Sequence, residues 1–228
     1  MKDIILSLKY KLNICILEKE NDVACGATKA NSAIVHAGYD AKEGTLKAKL
    51  NVRGNKLYKD LCEDLNVEFK QTGSLVLAFD EEEVKHLEEL YNRGIKNNAR
   101  GLKILNKEEV LKIEPNVNKN VVAALLCESA GIVCPFNLNI ALAENANVNG
   151  VEFKFNTEVV DIKKVDDHFE IETNNGTYEA KYIVNAAGVY ADKIHNMVSE
   201  NKIHITPRRG DYCLLDKTAG GHVTKTIF

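Results

Sequence analysis

A run of leucines at helical spacing is the strongest pattern in the first third of the chain. Charged residues separate these leucines, which predicts one amphipathic helix from about residue 44 to residue 66. Such a helix buries its apolar stripe, so we expect the leucine side chains in a hydrophobic core. The stripe consists of Leu46, Leu50, Leu57, Leu61 and Leu65.

Later helices are predicted from the polar residues at their starts. Asp80 followed by Glu83, and Asn106 followed by Glu109, each place a short polar side chain three residues before a glutamate. This is the pattern of a capping residue with an acid at the third helical position. A proline suits the first turn of a helix, which predicts a further helix over residues 135–147.

Short apolar and alternating runs predict the strands. Residues 67–79 alternate and then become wholly apolar, which is typical of an antiparallel strand, and residues 121–127 form a compact apolar run. Further strand-like segments lie at residues 151–155, 158–162 and 169–173. The sequence Asn174-Asn175-Gly176 predicts a hairpin after the last of them.

Two predicted strands end in residues suited to a ligand. Residues 13–18 are almost wholly apolar and end at Glu18, which predicts a parallel strand buried on both faces. In a dinucleotide-binding unit, an acid at that position accepts hydrogen bonds from the ribose hydroxyls, about 20 residues after a Gly-x-Gly-x-x-Gly loop. Residues 182–188 predict a second buried strand, whose Ala187-Gly188 end lets main chain approach a ligand.

The glycine loop expected before the first of these strands is missing. Residues 1–12 contain no glycine, although a strand, a phosphate loop and a helix usually occupy that space. Either residues 4–11 are the tail of the crossover helix, or residues 2–6 are a first strand whose loop and half-helix are lost.

Composition and charge narrow the class of protein. The 228 residues suffice for one large or two modest domains with a sizeable core. The 30 basic and 33 acidic residues give a formal net charge of -3, without the clustered basic face that binds nucleic acid. No apolar run approaches the roughly 20 residues of a membrane span, and the amino terminus lacks a signal-peptide pattern. We therefore expect a cytoplasmic protein without a transmembrane segment.

The six cysteines are scattered along the chain, without a Cys-x-x-Cys pair or clustered histidines. In a chain without an export signal, this predicts reduced, mostly buried cysteines and neither a disulfide framework nor a metal site. The cysteines are Cys15, Cys25, Cys62, Cys127, Cys134 and Cys213.

Residues 26–38, Gly-Ala-Thr-Lys-Ala-Asn-Ser-Ala-Ile-Val-His-Ala-Gly, resemble the flavin-contacting segment of one enzyme family. The family is the FAD-dependent oxidoreductases of the D-amino-acid oxidase superfamily. The branch that looks nearest holds anaerobic glycerol-3-phosphate dehydrogenases and L-2-hydroxyglutarate oxidases. Similar segments continue, in the family's order, at residues 44–49, 53–54, 72–76, 131–135, 185–188 and 207–212.

The resemblance implies an α/β fold with two domains. One is an FAD-binding Rossmann-like domain, here incomplete, and the other is an inserted antiparallel α+β substrate domain. We expect the FAD-binding domain at residues 1–66 and 131–200. The substrate domain is expected at residues 67–130 and, incompletely, at residues 201–228.

The resemblance also implies the chemistry. Such enzymes transfer a hydride from a carbon of a 2-hydroxy acid or a phosphorylated polyol to FAD, while the protein supplies orientation and electrostatics. The expected activity is that of a glycerol-3-phosphate dehydrogenase, with an L-2-hydroxyglutarate oxidase or dehydrogenase as the alternative. The substrate is then a small anion, and an electron-acceptor partner protein is left open.

The candidate catalytic residues are His36 and Arg209. His36 is expected nearest to the flavin ring, where a histidine can act as a base or only donate a hydrogen bond. Residues 205–216 have a strand pattern, with Arg208 and Arg209 near its start. Arg209, with Arg208, is suited to hold a carboxylate or phosphate through two parallel hydrogen bonds. The resemblance places the backbone around Val159 against the adenine. The candidate FAD contacts are Glu18, Thr28, Asn31, Ser32, His36, Ala37, Gly38, Val159, Ala187 and Gly188.

A second hypothesis is that the chain is an inactive fragment. Without the glycine loop, a pyrophosphate loses the backbone amides and the helix terminus that make such a site favourable for anions. This hypothesis predicts weak or no retention of FAD.

Overall fold

The computed structural model describes residue 10 and residues 12–228, which form two compact units. Among these residues, the first unit combines residues 10 and 12–31 with residues 135–212, and the second combines residues 32–134 with residues 213–228. The two alternatives predicted for the segment before the first strand fall on residues 2–11, which lie outside the described residues except for Tyr10.

The described residues form α-helices, β-strands and three short 3-10 turns. The helices are α1 (Leu46–Asp64), α2 (Glu81–Lys96), α3 (Lys107–Ile113), α4 (Pro135–Val148) and α5 (Ala191–Val198). The strands are β1 (Cys15–Leu17), β2 (Ile34–Val35), β3 (Phe69–Lys70), β4 (Ser74–Ala78), β5 (Leu102–Asn106), β6 (Ala123–Cys127), β7 (Gly131–Val133), β8 (Glu152–Lys154), β9 (Val159–Val165), β10 (His168–Thr173), β11 (Gly176–Ala180) and β12 (Thr226–Ile227). The 3-10 turns are Ala27–Lys29, Gly188–Tyr190 and Lys217–Ala219.

The first unit contains a parallel strand pair and an antiparallel sheet. β1 runs parallel to β8, with Cys15 opposite Glu152. β9, β10 and β11 form the antiparallel sheet, and Thr173 lies opposite Gly176 at its second turn. α5 packs on β9, and α4 packs on the 3-10 turn Ala27–Lys29. The predicted hairpin and the predicted helix beginning at residue 135 are confirmed.

Two sheets and three helices form the second unit. β12, β4, β6 and β5 lie side by side in one sheet, and β2, β7 and β3 form the other. β6 is buried along its whole length, as the apolar run predicts. Its side chains alternate between two core clusters, with Leu125 packed near Leu87 of α2 and Leu126 packed near Val110 of α3. The central sheet therefore carries a helix on each face.

Side-chain caps fix the starts of α2 and α3, as the sequence predicts. Asp80 Oδ1 accepts a hydrogen bond from the N–H of Glu83 at 2.9 Å. Asn106 Oδ1 accepts from the N–H of Glu109 at 3.0 Å, and the Glu109 carboxylate accepts from the N–H of Asn106 at 2.9 Å. These bonds satisfy N–H groups that a helix start leaves without intrahelical partners.

A buried carboxylate ties the last segment of the chain to the second unit. Glu114 is 1% exposed, and its carboxylate accepts hydrogen bonds from the N–H and the hydroxyl of Thr224. β12 follows and pairs parallel to β4, and the N–H of Phe228 donates to the carbonyl of Leu75 at 2.8 Å. The segment that ends at Phe228 is therefore fixed at the edge of the central sheet.

α1 forms as predicted, but the leucine stripe is not its buried face. Leu46 is 73% exposed and Leu50 is 59% exposed. The buried residues lie on roughly the opposite side of the helix, where small side chains let another segment of main chain come close. They are Ala48, Val52, Asn55 and Cys62.

Three strand predictions are corrected by the structure. β1 forms, but Cys15 and Ile16 are exposed because, in the described part of the chain, β8 is its one partner. Residues 182–187 and 205–216 form no strand, and Leu214 is 98% exposed. Neither segment has a neighbouring strand among the described residues, and strand backbone needs such a neighbour for its hydrogen bonds.

The prediction that most of the cysteines are buried is wrong. All six are free thiols, and only Cys62 and Cys127 are buried. Cys15 is exposed because it lies in the half-covered strand β1, and Cys213 is exposed because it lies in the segment that forms no strand.

Within the described residues, no helix combines the length and the apolar composition that a membrane span requires. The same residues contain no group of three or more His, Cys, Asp or Glu side chains arranged to hold a metal ion.

Two helical glycines give a matched test of the packing in the second unit. A Cβ added at Gly94 of α2 would lie 2.3 Å from Leu102 Cδ1 and 2.9 Å from Tyr39 Cβ, whereas a Cβ at Gly54 of α1 would meet no atom within 4 Å. We expect Gly94→Ala to lower the free energy of unfolding by about 1–3 kcal/mol, because crowding exceeds the gain in helix propensity. Gly54→Ala should raise it by up to about 1 kcal/mol. Urea unfolding measures both, and equal effects would contradict this packing.

A carboxylate in the first turn of α5 holds the segment that follows this helix. Asp192 Oδ2 accepts a hydrogen bond from the N–H of Ile205 at 2.9 Å, and His204 Nδ1 lies 3.6 Å from the same oxygen. The bond from Ile205, with a smaller contribution from the N–H of Lys193, lowers the pKa of the Asp192 carboxyl.

This lowered pKa of Asp192 predicts a pH dependence of stability. Because the folded pKa lies below the unfolded one, the stabilisation is complete above about pH 4 and is lost as the pH falls through the folded pKa. We expect the free energy of unfolding to fall more steeply on acidification in the wild type than in Asp192→Asn, measured by urea unfolding at several pH values. Asp167→Asn removes an 84% exposed carboxylate and should behave like the wild type. Parallel slopes for the wild type and Asp192→Asn would contradict this account.

Candidate functional site

Glu18 lies at the carboxyl end of the parallel pair in the first unit, directly after β1. Its N–H donates to the carbonyl of Lys154 at 2.9 Å, and its carbonyl accepts from the N–H of Thr157 at 2.8 Å. The side chain is half-buried, and Oε1 accepts from the N–H of Glu20 at 2.9 Å. Oε2 has no hydrogen-bond partner within the described residues, so it is able to accept a hydrogen bond from a ligand.

Gly188 begins a 3-10 turn that leads into α5. Its φ of +56° is a left-handed conformation, and a Cβ added there would meet no atom within 4 Å. Ala187 before it is half-buried, and its N–H donates to Asn185 Oδ1 at 3.2 Å. The side-chain amide of Asn185 donates to the carbonyl of Ala191 at 2.7 Å, which fixes the entry into the helix. The main chain at Gly188 is therefore both ordered by neighbours and open on one side.

A cation–π contact links the end of β1 to the Gly188 turn. Lys19, the residue after Glu18, has its Nζ 4.5 Å from the centre of the Tyr190 ring, and Lys193 Nζ lies 5.2 Å from the same centre. Lys19 also pairs with Glu20 at 3.3 Å, and this neighbour raises the pKa of the Lys19 ammonium group. The structure thus brings the two predicted strand ends to one region of the first unit, although residues 182–187 form no strand.

The other candidate residues of the first unit lie in a turn and its flank, at a strand start and in a segment without regular structure. Thr28 is exposed in its 3-10 turn, and the Asn31 side chain donates to the carbonyl of Thr28 at 2.7 Å. Val159 is half-buried at the start of β9, opposite Thr173. Arg209 is exposed, and its Nε lies 3.0 Å from Asp211 Oδ1. Arg208 is exposed as well.

The second unit carries the remaining candidates, in a loop that we call the His36 loop (residues 36–41). The His36 side chain is exposed, whereas Ala37, Gly38, Tyr39 and Ala41 are buried. The ring of His36 stacks on Phe228, with 6.0 Å between the ring centres and 26° between the ring planes. Ser32, before the loop, is exposed.

Packing explains the buried residues of this loop. Gly38 has a φ of +92°, and a Cβ there would lie 2.5 Å from Val52 Cγ2 of α1, so a larger residue does not fit. Tyr39 is buried, with its hydroxyl 3.5 Å from Ser74 Oγ, and burial raises its pKa. With its neighbours packed against the core, His36 presents the one exposed imidazole of the loop.

Three contributors to this geometry were missed in the sequence. Asn55 and Asn97 donate side-chain hydrogen bonds to the carbonyls of the His36 loop, and Tyr190 joins the two strand ends. A signal for Asn55 exists, because it is polar yet lies in helical phase with Ala48 and Val52, on the side with small residues. No comparable pattern singles out Asn97 or Tyr190.

Comparison with known proteins identifies the family. Residues 4–227 match the model of the family DAO, described as FAD dependent oxidoreductase. A glycerol 3-phosphate dehydrogenase of Caloramator mitchellensis is 56% identical over 96% of this chain and 46% of its own length. A mitochondrial L-2-hydroxyglutarate dehydrogenase of Pongo abelii is 31% identical over 90% of this chain and 51% of its own length.

A solved structure agrees with this family. It is a dithionite-reduced L-alpha-glycerophosphate oxidase from Mycoplasma pneumoniae with FAD bound. The match has a TM-score of 0.78 and 35% sequence identity, and it covers 85% of this chain and 53% of the other. The chain spans about half the length of the curated relatives it matches. It belongs to the DAO family of FAD-dependent oxidoreductases.

Proposed function

We propose that this chain binds FAD and takes part in the FAD-dependent oxidation of glycerol 3-phosphate. The observation that carries the proposal is the 56% identity, over 96% of the chain, to a glycerol 3-phosphate dehydrogenase. The exposed imidazole of His36, on a loop whose neighbouring residues are buried, supports a catalytic role for that loop.

Two features of the first unit fit the adenosine part of FAD. Glu18 has a carboxylate oxygen without a partner among the described residues, which suits the acceptance of hydrogen bonds from ribose hydroxyls. Gly188 has open space on the side where a Cβ would project, so its main chain is accessible to a ligand. On this proposal, the candidate cofactor contacts of the first unit are Glu18, Thr28, Asn31, Val159, Ala187 and Gly188. The candidate contacts of the second unit are Ser32, His36, Ala37 and Gly38.

FAD, when bound, supplies the acceptor for a hydride from the carbon that carries the substrate hydroxyl. His36 would hold that hydroxyl and take up its proton, because an imidazole nitrogen can act as a general base. Arg208 and Arg209 would hold the phosphate. The ion pair of Arg209 with Asp211 joins two exposed side chains, so it contributes little and an anionic substrate can replace it.

L-2-hydroxyglutarate is the alternative substrate, and the 31% identity to an L-2-hydroxyglutarate dehydrogenase favours it as the second choice. Its carboxylates would take the place of the phosphate at the arginines. An electron-acceptor partner protein and a cytoplasmic location stay predictions from the sequence.

The first test concerns the cofactor. The purified chain should bind added FAD, and the quenching of flavin fluorescence measures this binding. Glu18→Gln should weaken the binding by about 10–100-fold through the loss of charge-assisted hydrogen bonds. Glu152→Gln is the matched control, because it removes a carboxylate at the amino end of the partner strand β8. Equal affinities of the two variants would contradict the role of Glu18, and no binding by any of the three proteins would support the inactive-fragment hypothesis.

The second test concerns the reaction. With FAD saturating and oxygen excluded, glycerol 3-phosphate should bleach the flavin absorbance, and His36→Gln should slow this step by about 10²–10⁴-fold. His86→Gln alters an exposed histidine on α2 and should react like the wild type. If L-2-hydroxyglutarate bleached the flavin and glycerol 3-phosphate did not, the proposed substrate would change to L-2-hydroxyglutarate. An unchanged rate in His36→Gln would remove His36 from the chemistry.

A further inference from the structure

The His36 loop has no strand pairing to satisfy its main-chain carbonyls, and side chains from two helices take this role. Asn97, the residue that caps the end of α2, donates from Nδ2 to the carbonyl of Gly38 at 2.9 Å and to the carbonyl of Ala41 at 2.6 Å. One carboxamide therefore joins two points of the loop that are three residues apart.

Asn55 of α1 holds the other end of the loop. It is 8% exposed, and its Nδ2 donates to the carbonyl of His36 at 3.3 Å and to the carbonyl of Ser129 at 2.8 Å. Ser129 lies in the turn between β6 and β7, so Asn55 ties the main chain of His36 to the turn that follows the central strand of the unit.

A third donor and two close contacts complete the restraint. Arg93 Nη1 donates to the carbonyl of Asp40 at 3.1 Å. Gly38 lies against Val52 of α1, and Gly94 of α2 lies against Tyr39, each without room for an added Cβ. The carbonyls of four of the six loop residues thus accept side-chain hydrogen bonds, while the imidazole of His36 is exposed.

We propose that Asn55 and Asn97 are positioning residues, which fix the main chain of the His36 loop so that the His36 imidazole has one orientation. The importance of that orientation for the reaction rests on the function proposed for His36. Both roles require an N–H donor between two carbonyls, and a carboxylate of the same shape supplies none. An Asn→Asp change therefore removes the hydrogen bonds while keeping the volume of the side chain.

The test compares Asn97→Asp with Asn98→Asp. Asn98 is the next residue, it is exposed, and its side chain makes no hydrogen bond within the described part of the chain, so the control introduces the same charge beside the same helix end. Hydrogen–deuterium exchange of residues 36–41 should accelerate about tenfold or more in Asn97→Asp and stay unchanged in Asn98→Asp. The imidazole NMR signals of His36, assigned with His36→Gln, should shift or split only in Asn97→Asp. The proposal would be overturned if residues 36–41 of Asn97→Asp exchanged at the wild-type rate and the His36 signals of this variant were unchanged.

A milder variant keeps the test valid if the charge prevents folding. Asn97→Ser and Asn55→Ser shorten the donor without adding charge, and circular dichroism establishes that each variant is folded. In a folded variant, the same His36 signals should move, which a general loss of stability would not cause.

Flavin bleaching separates this proposal from the function proposed above. If glycerol 3-phosphate bleaches the wild type, Asn97→Asp should slow the bleaching step by about tenfold or more with FAD affinity within about threefold of the wild type. A slowed step in both Asn97→Asp and Asn98→Asp would overturn the positioning role. If no substrate bleaches the wild type, the proposed function fails. The hydrogen–deuterium exchange rates and the NMR signals of His36 then still decide whether Asn55 and Asn97 fix the loop.

Discussion

A loop that lies against a core but belongs to no sheet must find hydrogen-bond donors for its carbonyls elsewhere. Buried main-chain groups without partners cost free energy comparable to a lost hydrogen bond, so this requirement constrains every side chain around the His36 loop. It accounts for two carboxamides and a guanidinium that point at the loop from α1 and α2. It also accounts for glycines where the loop and the helices meet, since the backbones can come close only without a Cβ. The outcome is an ordered main chain with one exposed imidazole.

The first unit meets the same requirement by a different route. Backbone pairing on both sides of Glu18, to Lys154 and to Thr157, fixes the main chain where the carboxylate stands. Around Gly188, the side chain of Asn185 accepts a hydrogen bond from the N–H of Ala187 and donates one to the carbonyl of Ala191 at the start of α5. The main chain of Glu18 in the first unit and that of His36 in the second are therefore held by their neighbours, which is the condition for a precisely shaped site.

Local features of the fold could be predicted from the sequence, whereas features that depend on distant partners could not. The caps of α2 and α3 and the hairpin after residue 173 follow from a few adjacent residues, and all three form. Residues 182–187 have the composition of a buried strand, but a strand forms only beside another, and none lies beside them in the described chain. The candidate site residues could be identified because their segments resemble those of the family and follow in the same order. Asn97 could not be identified, because it donates to a loop more than fifty residues away and no local pattern marks it.

The face of α1 shows why hydrophobicity alone misleads. Its leucines form the more apolar stripe, yet the side with Ala48, Val52 and Asn55 is buried, because main chain packs closely only on small side chains.

The most direct test of the proposed cofactor site is a crystal structure of the chain with FAD. Ribose hydroxyls are expected within hydrogen-bond distance of the Glu18 carboxylate, with main chain of Gly188 against the cofactor. A cofactor bound with its ribose away from Glu18 would contradict this expectation.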